Sequence, residues 1–92
     1  MPRVFKMGPY LVYFWSGEFD PLEPVHVHVS DRKPTGDDTK IWLSESGNAV
    51  LAHNRSGIPD HILSRIMEAV SARHEDVLMR WKKHFGTARF YC

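Results

Sequence analysis

Two histidines, His26 and His28, alternate with valines in the stretch PVHVHV at residues 24–29. Side chains alternate across a β-strand with a period of two, so an extended conformation places both imidazoles on one face and the three valines on the other. Imidazole titrates near neutral pH and also binds metals. The pair is therefore a candidate for acid–base chemistry or for metal binding.

A zinc site needs at least a third protein ligand, usually His, Cys, Asp or Glu. The candidates for this ligand are Glu23, Asp31 and His53, and nothing in the sequence brings them near the pair. We therefore expect no metal and no other cofactor, with a divalent metal site as an alternative. A structural role is a further alternative, in which one histidine is buried with a hydrogen bond and the other lines the surface.

A second cluster, AHNRSG at residues 52–57, precedes the first predicted helix. Backbone N–H groups at a helix start favour anions, and Arg55 can add a bidentate contact to a phosphate or a carboxylate. His53 can then join His26 and His28 as an acid or a base, because histidines beside a cation can cleave RNA without a metal. We predict that these three histidines are catalytic and that Arg55 binds the substrate. The alternative is a capping loop in which Arg55 forms a surface ion pair.

Lys40 and Trp42 share one face of the segment KIWLS. If this segment pairs with the HVHV strand, then imidazole, ammonium and indole groups occupy one surface, which suits stacking a base and holding its phosphate. We predict that both residues bind the substrate. The alternative is that Trp42 packs beneath the helices.

These side chains need strands to position them, and runs of aromatic and β-branched residues between Gly and Pro indicate where the strands lie. The second predicted strand is apolar on both faces, so we expect it to be internal and covered on both sides. The predicted strands are Arg3–Lys6 and Tyr10–Ser16 with a turn at Met7–Pro9, the HVHV segment after Pro24, Lys40–Ser44, and Ala49–His53 as an edge strand or an irregular segment.

Apolar residues fall at helical spacing from Pro59 to Phe85. One continuous helix of this length would be about 40 Å long, which is too long for a small domain. We therefore predict a break near Ala72–His74 and an end at Gly86. The predicted fold class is α+β: a small antiparallel sheet followed by two C-terminal helices packed on one face, in a single domain of residues 1–92.

The overall charge is nearly balanced, with 12 Lys and Arg against 11 Asp and Glu. This balance does not by itself indicate a nucleic-acid binder, and a solvated helix face is the expected role of Arg80, Lys82 and Lys83. One cysteine, Cys92, can form no intramolecular disulfide and fits a reducing compartment. No signal peptide or membrane span is recognisable, so we expect a cytoplasmic protein with no membrane partner.

Four segments along nearly the whole chain form a recognisable pattern: MPRVFKMGPYLVYFWSGEFDPLEPVHVHV, KIWL, LAHNRSG and VLMRWKKHFG. In order and spacing they resemble a small bacterial family of uncharacterised domains, domain-of-unknown-function family 4160. The HVHV strand is the fairly specific part of this resemblance, whereas the helices are not specific. Val25 stands where the family commonly shows a second proline before the histidines, which leaves the histidine geometry intact but makes the start of the strand less rigid.

The resemblance implies a toxin-like protein held by a partner, because members of this family are often encoded beside a second small uncharacterised protein. We therefore expect the toxin component of a bacterial toxin–antitoxin pair, with an antitoxin-like small protein as partner and RNA or another nucleic acid as target. Whether this protein is an enzyme is left open. If it is one, we consider it a metal-independent, ribonuclease-like hydrolase. The alternative is a non-enzymatic interaction module that binds a partner through its sheet face or its aromatic C-terminal tail, TARFYC. Homo-oligomerisation is also left open.

Overall fold

The computed structural model describes residues 2–17 and 22–92. In this part of the chain, an antiparallel sheet with its strands in chain order is followed by two helices, which confirms the predicted α+β class. The elements are β1 (Arg3–Met7), β2 (Tyr10–Tyr13), β3 (His26–Ser30), β4 (Thr39–Leu43), β5 (Ala49–His53), α1 (Asp60–Ala72) and α2 (His74–Phe85).

β1 and β2 form a hairpin that turns at Gly8, whose φ of 58° lies in the left-handed region that favours glycine. Phe5 of β1 lies opposite Val12 of β2. β2 also pairs with β3, and both Val12 and Tyr13 are fully buried although they point to opposite faces. The prediction of an internal β2 is therefore confirmed.

The predicted extent of β2, Tyr10–Ser16, is too long by three residues at its end. Pairing between β2 and β3 stops where Tyr13 lies opposite His28, so the following residues have no partner on that side. Phe14 still donates its backbone N–H to the carbonyl of Pro2 at 3.1 Å, after which the chain turns away from the sheet. The apolar character of YLVYFW therefore reflects burial beyond the end of the strand.

β3 is the central strand, and all of its residues are buried. Val27 lies opposite Ile41, and Val29 lies opposite Val12, so the valines share their face with apolar residues of both neighbouring strands. Each fully buried aliphatic side chain of this kind contributes about 1.5–3 kcal/mol. The helices complete this core with Leu63, Ile66, Val70, Val77 and Trp81.

The two helices begin and end where the sequence signals indicate. α1 follows Pro59, whose missing N–H costs nothing at a helix start. Arg73 leaves the helical conformation (φ −106°, ψ 19°), which confirms the predicted break near Ala72–His74. Gly86 ends α2 with a φ of 79° and donates its N–H to the carbonyl of Lys82 at 2.7 Å. Among the described residues, no helix has both the length and the apolar character that a membrane span requires.

The β4–β5 hairpin rests against the junction of the two helices. Gly47 in this hairpin has a φ of 91°, and a β-carbon built there would lie 2.6 Å from the His74 ring. That ring is held in place because its Nδ1–H donates to the carbonyl of Ser71 at 2.8 Å. The hydroxyl of Ser71 accepts the backbone N–H of Ala49 at 2.9 Å, so one serine ties the helices to β5. The undecided segment at residues 49–53 is a strand at the edge of the sheet.

We predict that Gly47→Ala destabilises the protein more than Gly8→Ala. Both positions have a positive φ, which costs an L-residue about 1–2 kcal/mol. Only Gly47 faces a fixed ring, so overcrowding adds about 1–3 kcal/mol there. Urea unfolding monitored by circular dichroism measures both losses. Equal losses would show that the hairpin moves away from His74 without cost.

Candidate functional site

One face of the sheet carries a row of polar side chains that crosses four strands. Through the strand pairing, Tyr13 lies opposite His28, His28 opposite Lys40, and Lys40 opposite His53. A second row places His26 opposite Trp42, and Trp42 opposite Val50. We call these seven residues the histidine face. The predicted separation of histidines and valines on β3 is confirmed.

His26 is fully buried within the histidine face. Its Nδ1–H donates to the carbonyl of Pro24 at 2.9 Å, which fixes the orientation of the ring. The ring meets three others edge-to-face, with centroid distances of 5.0 Å to His28, 5.6 Å to Trp42 and 5.3 Å to Trp81. His26 is therefore held by aromatic packing as well as by a hydrogen bond.

His28 is only 7 % exposed, so the expectation that one of the two histidines lines the surface is wrong. Burial, and then the nearby ring of His26, lower the pKa of His28 to about 4, although its contact with the backbone carbonyl of Asp38 opposes this shift. That contact is long, at 3.5 Å from Nδ1 to the oxygen. His28 is therefore a neutral imidazole at pH 7.

The loop between β3 and β4 covers the Tyr13 end of the row. The buried carboxylate of Asp38 accepts hydrogen bonds from the Tyr13 hydroxyl and from the backbone N–H of Thr35, the latter at 2.9 Å. Burial, and then this hydrogen bond and the charge of Asp38, raise the pKa of Tyr13 above its usual range. Sequence reasoning missed this pair. The turn-forming letters TGDD indicate the local bond to Thr35, but no sequence signal connects Asp38 with a tyrosine 25 residues earlier.

Lys40 and Trp42 lie side by side in the middle of the histidine face. The Lys40 ammonium is 2.6 Å from a carboxylate oxygen of Glu23 and 4.3 Å from the centroid of the Trp42 ring. The Lys40 side chain is 15 % exposed, so most of it is shielded from solvent. The structure therefore brings together the ammonium and indole groups that the sequence placed on one strand.

The C-terminal tail is docked on the protein. Val25 donates its N–H to the carbonyl of Arg89, and Glu45 donates to the carbonyl of Cys92, both at 2.9 Å. The Tyr91 ring stacks on Trp42 with the centroids 5.0 Å apart and the planes within 5°. The sequence of the tail, TARFYC, allows it either to pack on the sheet or to remain available to a partner; in the structure it packs on the protein, and Tyr91 joins the site.

His53 and Arg55 lie beyond Lys40 at the edge of the sheet. Two strand spacings, about 10 Å, separate the backbones of His53 and His28, so the three predicted histidines do not meet at one point. Burial, and then the charges of Arg55 and Lys40, lower the pKa of the partly exposed His53. The backbone N–H of Arg55 donates to Nδ1 of His53 at 3.3 Å, so the neutral ring carries its proton on Nε2.

Arg55 itself lines a groove of about 270 Å³ that contains three aspartates and two arginines. Within residues 2–17 and 22–92, no three His, Cys, Asp or Glu side chains converge in a way that could hold a metal ion. The residues that line the groove are Asp31, Arg32, Thr35, Asp37, Asp38, Arg55 and Ser56.

The fold and the site define an α+β protein whose central strand carries two buried histidines on the sheet face away from the valine core. The sequence model of the family described as Domain of unknown function (DUF4160) matches residues 10–82, and the chain belongs to this family. The match spans β2 to α2 and includes all six residues of the predicted site. Comparison with curated proteins and with solved structures gave no match.

We predict that His28 makes the protein less stable in acid. The unfolded chain binds a proton at this histidine near pH 6.5, whereas the folded protein binds it only near pH 4. As the pH falls from 6.5 to 4, His28 takes up a proton in the unfolded state but not in the folded state. Protonation therefore stabilises the unfolded state, and the free energy of unfolding falls by about 3 kcal/mol. His28→Gln should remove this part of the pH dependence in urea titrations. The exposed His61→Gln is the matched control and should leave the dependence unchanged; identical slopes for both variants would contradict the assignment.

Proposed function

We propose that this protein is the cytoplasmic toxin component of a bacterial toxin–antitoxin pair and that it acts by binding single-stranded RNA on the histidine face. The observation that supports this proposal is the stack of Tyr91 on Trp42, directly beside the ammonium of Lys40. Aromatic rings next to cations are the combination by which proteins bind unpaired nucleotides without reading their sequence. The family resemblance supplies the toxin part of the proposal.

Tyr91 provides the stacking surface for a base. One face of its ring covers Trp42, and 62 % of the residue is exposed to solvent. A base stacked on an aromatic side chain contributes about 1–3 kcal/mol to binding, and any of the four bases can contribute it. The Trp42–Tyr91 pair is therefore a platform that extends outward from the sheet.

Lys40, His53 and Arg55 would contact the phosphates, and Lys40 would exchange its ion pair with Glu23 for one with a phosphate. They follow one another from β4 to the end of β5, so they present a line of donors along one edge of the platform. The His53 Nε2–H is a hydrogen-bond donor in the tautomer that Arg55 fixes. The aspartates in the groove beside Arg55 would keep the phosphates on the other side of this line, because carboxylates repel phosphates.

Binding fits this geometry better than cleavage does. A metal-independent ribonuclease needs a general base that can accept the proton of the 2′-hydroxyl, and the predicted bases here are the three histidines. His26 and His28 are buried, and the unprotonated nitrogen of His53 already accepts a hydrogen bond from the backbone. We therefore assign His53 to phosphate binding and the two buried histidines to the support of the platform.

We predict that Tyr91→Ala weakens the binding of a fluorescein-labelled single-stranded RNA by about 5–150-fold, because one stacked base is lost. Tyr91→Phe is the matched control, since it keeps the ring and should keep the affinity. Fluorescence anisotropy measures both. The RNA should be recovered at full length after incubation with EDTA, and expression of Tyr91→Ala should inhibit bacterial growth less than expression of the wild type. Equal affinities for Tyr91→Ala and the wild type would refute the platform, and shortened RNA would restore the hydrolase alternative.

The second candidate function is a protein-interaction module, and the exposed edge of the sheet favours it. Among residues 2–17 and 22–92, β5 pairs with β4 alone, and its Leu51 is 41 % exposed. An edge strand of this kind can accept a strand from a partner protein. Here the partner would be an antitoxin-like small protein or a second copy of the chain.

We predict for this candidate that Leu51→Asp abolishes co-purification with the antitoxin-like partner that the family resemblance implies, because a charge on an edge strand opposes pairing. Deletion of residues 90–92 distinguishes binding through the tail from binding through β5, since it removes the tail and leaves β5 in place. Loss of the complex on deletion alone would assign binding to the tail. An unchanged complex for both variants would exclude β5 and the tail, and size-exclusion chromatography of the isolated protein would report self-association.

A further inference from the structure

A groove of about 530 Å³ lies between β1 and α2, at the opposite end of the strand order from β5. We call it the basic groove. Its walls contain cationic and apolar groups, and no acidic residue of the described chain lines it. The lining residues are Pro2, Arg3, Met79, Arg80, Lys83 and His84.

Arg80 has a structural role in this groove. Its Nε lies 3.1 Å from both carboxylate oxygens of Asp76, one turn earlier on α2. One of its terminal nitrogens donates to the backbone carbonyl of Arg3 at 3.3 Å, which ties α2 to β1. The charge of Arg80 is therefore already partnered, and the groove is built around this fixed side chain.

The remaining cations of the basic groove are available to a ligand. Arg3 and Lys83 form no ion pair with any described residue of the chain. His84 is exposed and donates its Nε2–H to the carbonyl of Ser16 at 3.3 Å. The guanidinium of Arg3 and the ammonium of Lys83 thus give the groove a net positive charge, to which carboxylates are the complementary groups.

Met79 distinguishes the basic groove from a simple phosphate site. It is 60 % exposed, so its apolar side chain is open to a ligand beside Arg3, Arg80 and Lys83. Methionine is flexible and polarisable, and it adapts to apolar side chains at binding surfaces. A nucleic-acid backbone would leave both Met79 and Pro2 without an apolar partner. A protein segment can satisfy the cations and the apolar groups together.

We propose that the basic groove is the docking site for an acidic segment of a partner protein, in which Asp or Glu residues flank one apolar side chain. The carboxylates pair with Arg3 and Lys83, and the apolar side chain packs on Met79. This site lies apart from the histidine face, so the proposal goes beyond RNA binding and does not depend on it.

The test uses the full chain and fluorescein-labelled synthetic peptides in fluorescence anisotropy. The first peptide alternates Glu with Leu, the second has Gln in place of Glu, and the third has Ser in place of Leu. Only the first should bind measurably at moderate ionic strength. Labelled oligouridylate is the fourth probe. Because the histidine face is itself proposed to bind RNA, only a loss of oligouridylate binding in variants of the basic groove reports a nucleic-acid site there. Equal binding of the first peptide and either control peptide would overturn the proposal.

Variants then locate the binding site. Lys83→Glu should weaken binding of the acidic peptide about fivefold or more, because an attraction becomes a repulsion. Arg65→Glu, an exposed residue of α1 outside the groove, makes the same change in net charge and should have little effect. Met79→Ser should also weaken binding, while Leu51→Ser, exposed on β5, should not. If Lys83→Glu reduces oligouridylate binding but not peptide binding, the groove is a nucleic-acid site and the proposal is wrong.

Discussion

The requirement that β3 be buried on both of its faces governs the structure. The helices pack on the valine face, and Trp81 of α2 also reaches the His26 ring, while other segments of the chain cover the rest of the histidine face. Polar imidazoles are acceptable there because each ring places a nitrogen within reach of a backbone carbonyl. Burial holds the pKa of His28 near 4, so this part of the sheet behaves as core at neutral pH. The alternation of valine and histidine thus allows β3 to pack against the apolar core on one face and against polar and aromatic side chains on the other.

The covering segments are held by polar and aromatic contacts rather than by a second apolar core. Asp38 anchors the β3–β4 loop through Tyr13, and Tyr91 anchors the tail through Trp42. Asp38 contacts Tyr13 in the first row of the histidine face, and Tyr91 contacts Trp42 in the second row. The histidines are consequently beneath the surface, and the groups that a ligand can reach belong to the segments that cover them or to the strand edge. This is why the site proposed for RNA includes Tyr91 and His53 rather than the two residues of the HVHV motif.

Local periodicity in the sequence predicted the positions of the first four strands and the two faces of β3, because these depend on neighbouring residues, although it made β2 too long and left residues 49–53 undecided. The helix break near Arg73 was predicted from the length that one continuous helix would have. Periodicity put Lys40 and Trp42 on one face of their strand, and the pairing of β4 with β3, which was only a condition of the prediction, brings them beside the histidines. The burial of His28 could not be predicted in this way, since it depends on a loop and a tail that return from elsewhere in the chain. The same reason explains why Tyr91, 49 positions after Trp42, was considered only as part of a tail with two alternative roles.

The net charge of this protein does not indicate which ligands it binds, because the fold separates the acidic and basic side chains into different clusters. Asp31, Asp37 and Asp38 lie together at the β3–β4 loop, whereas Arg3 and Lys83 meet between β1 and α2. At physiological ionic strength a charge is screened within about 8 Å, so a ligand responds to one cluster and not to the total of +1. Arg3 and Lys83 are 80 positions apart in the chain, and only the contact of α2 with β1 makes them one surface. Because Arg80 maintains that contact through the carbonyl of Arg3, the same helix that completes the valine core also assembles the basic groove.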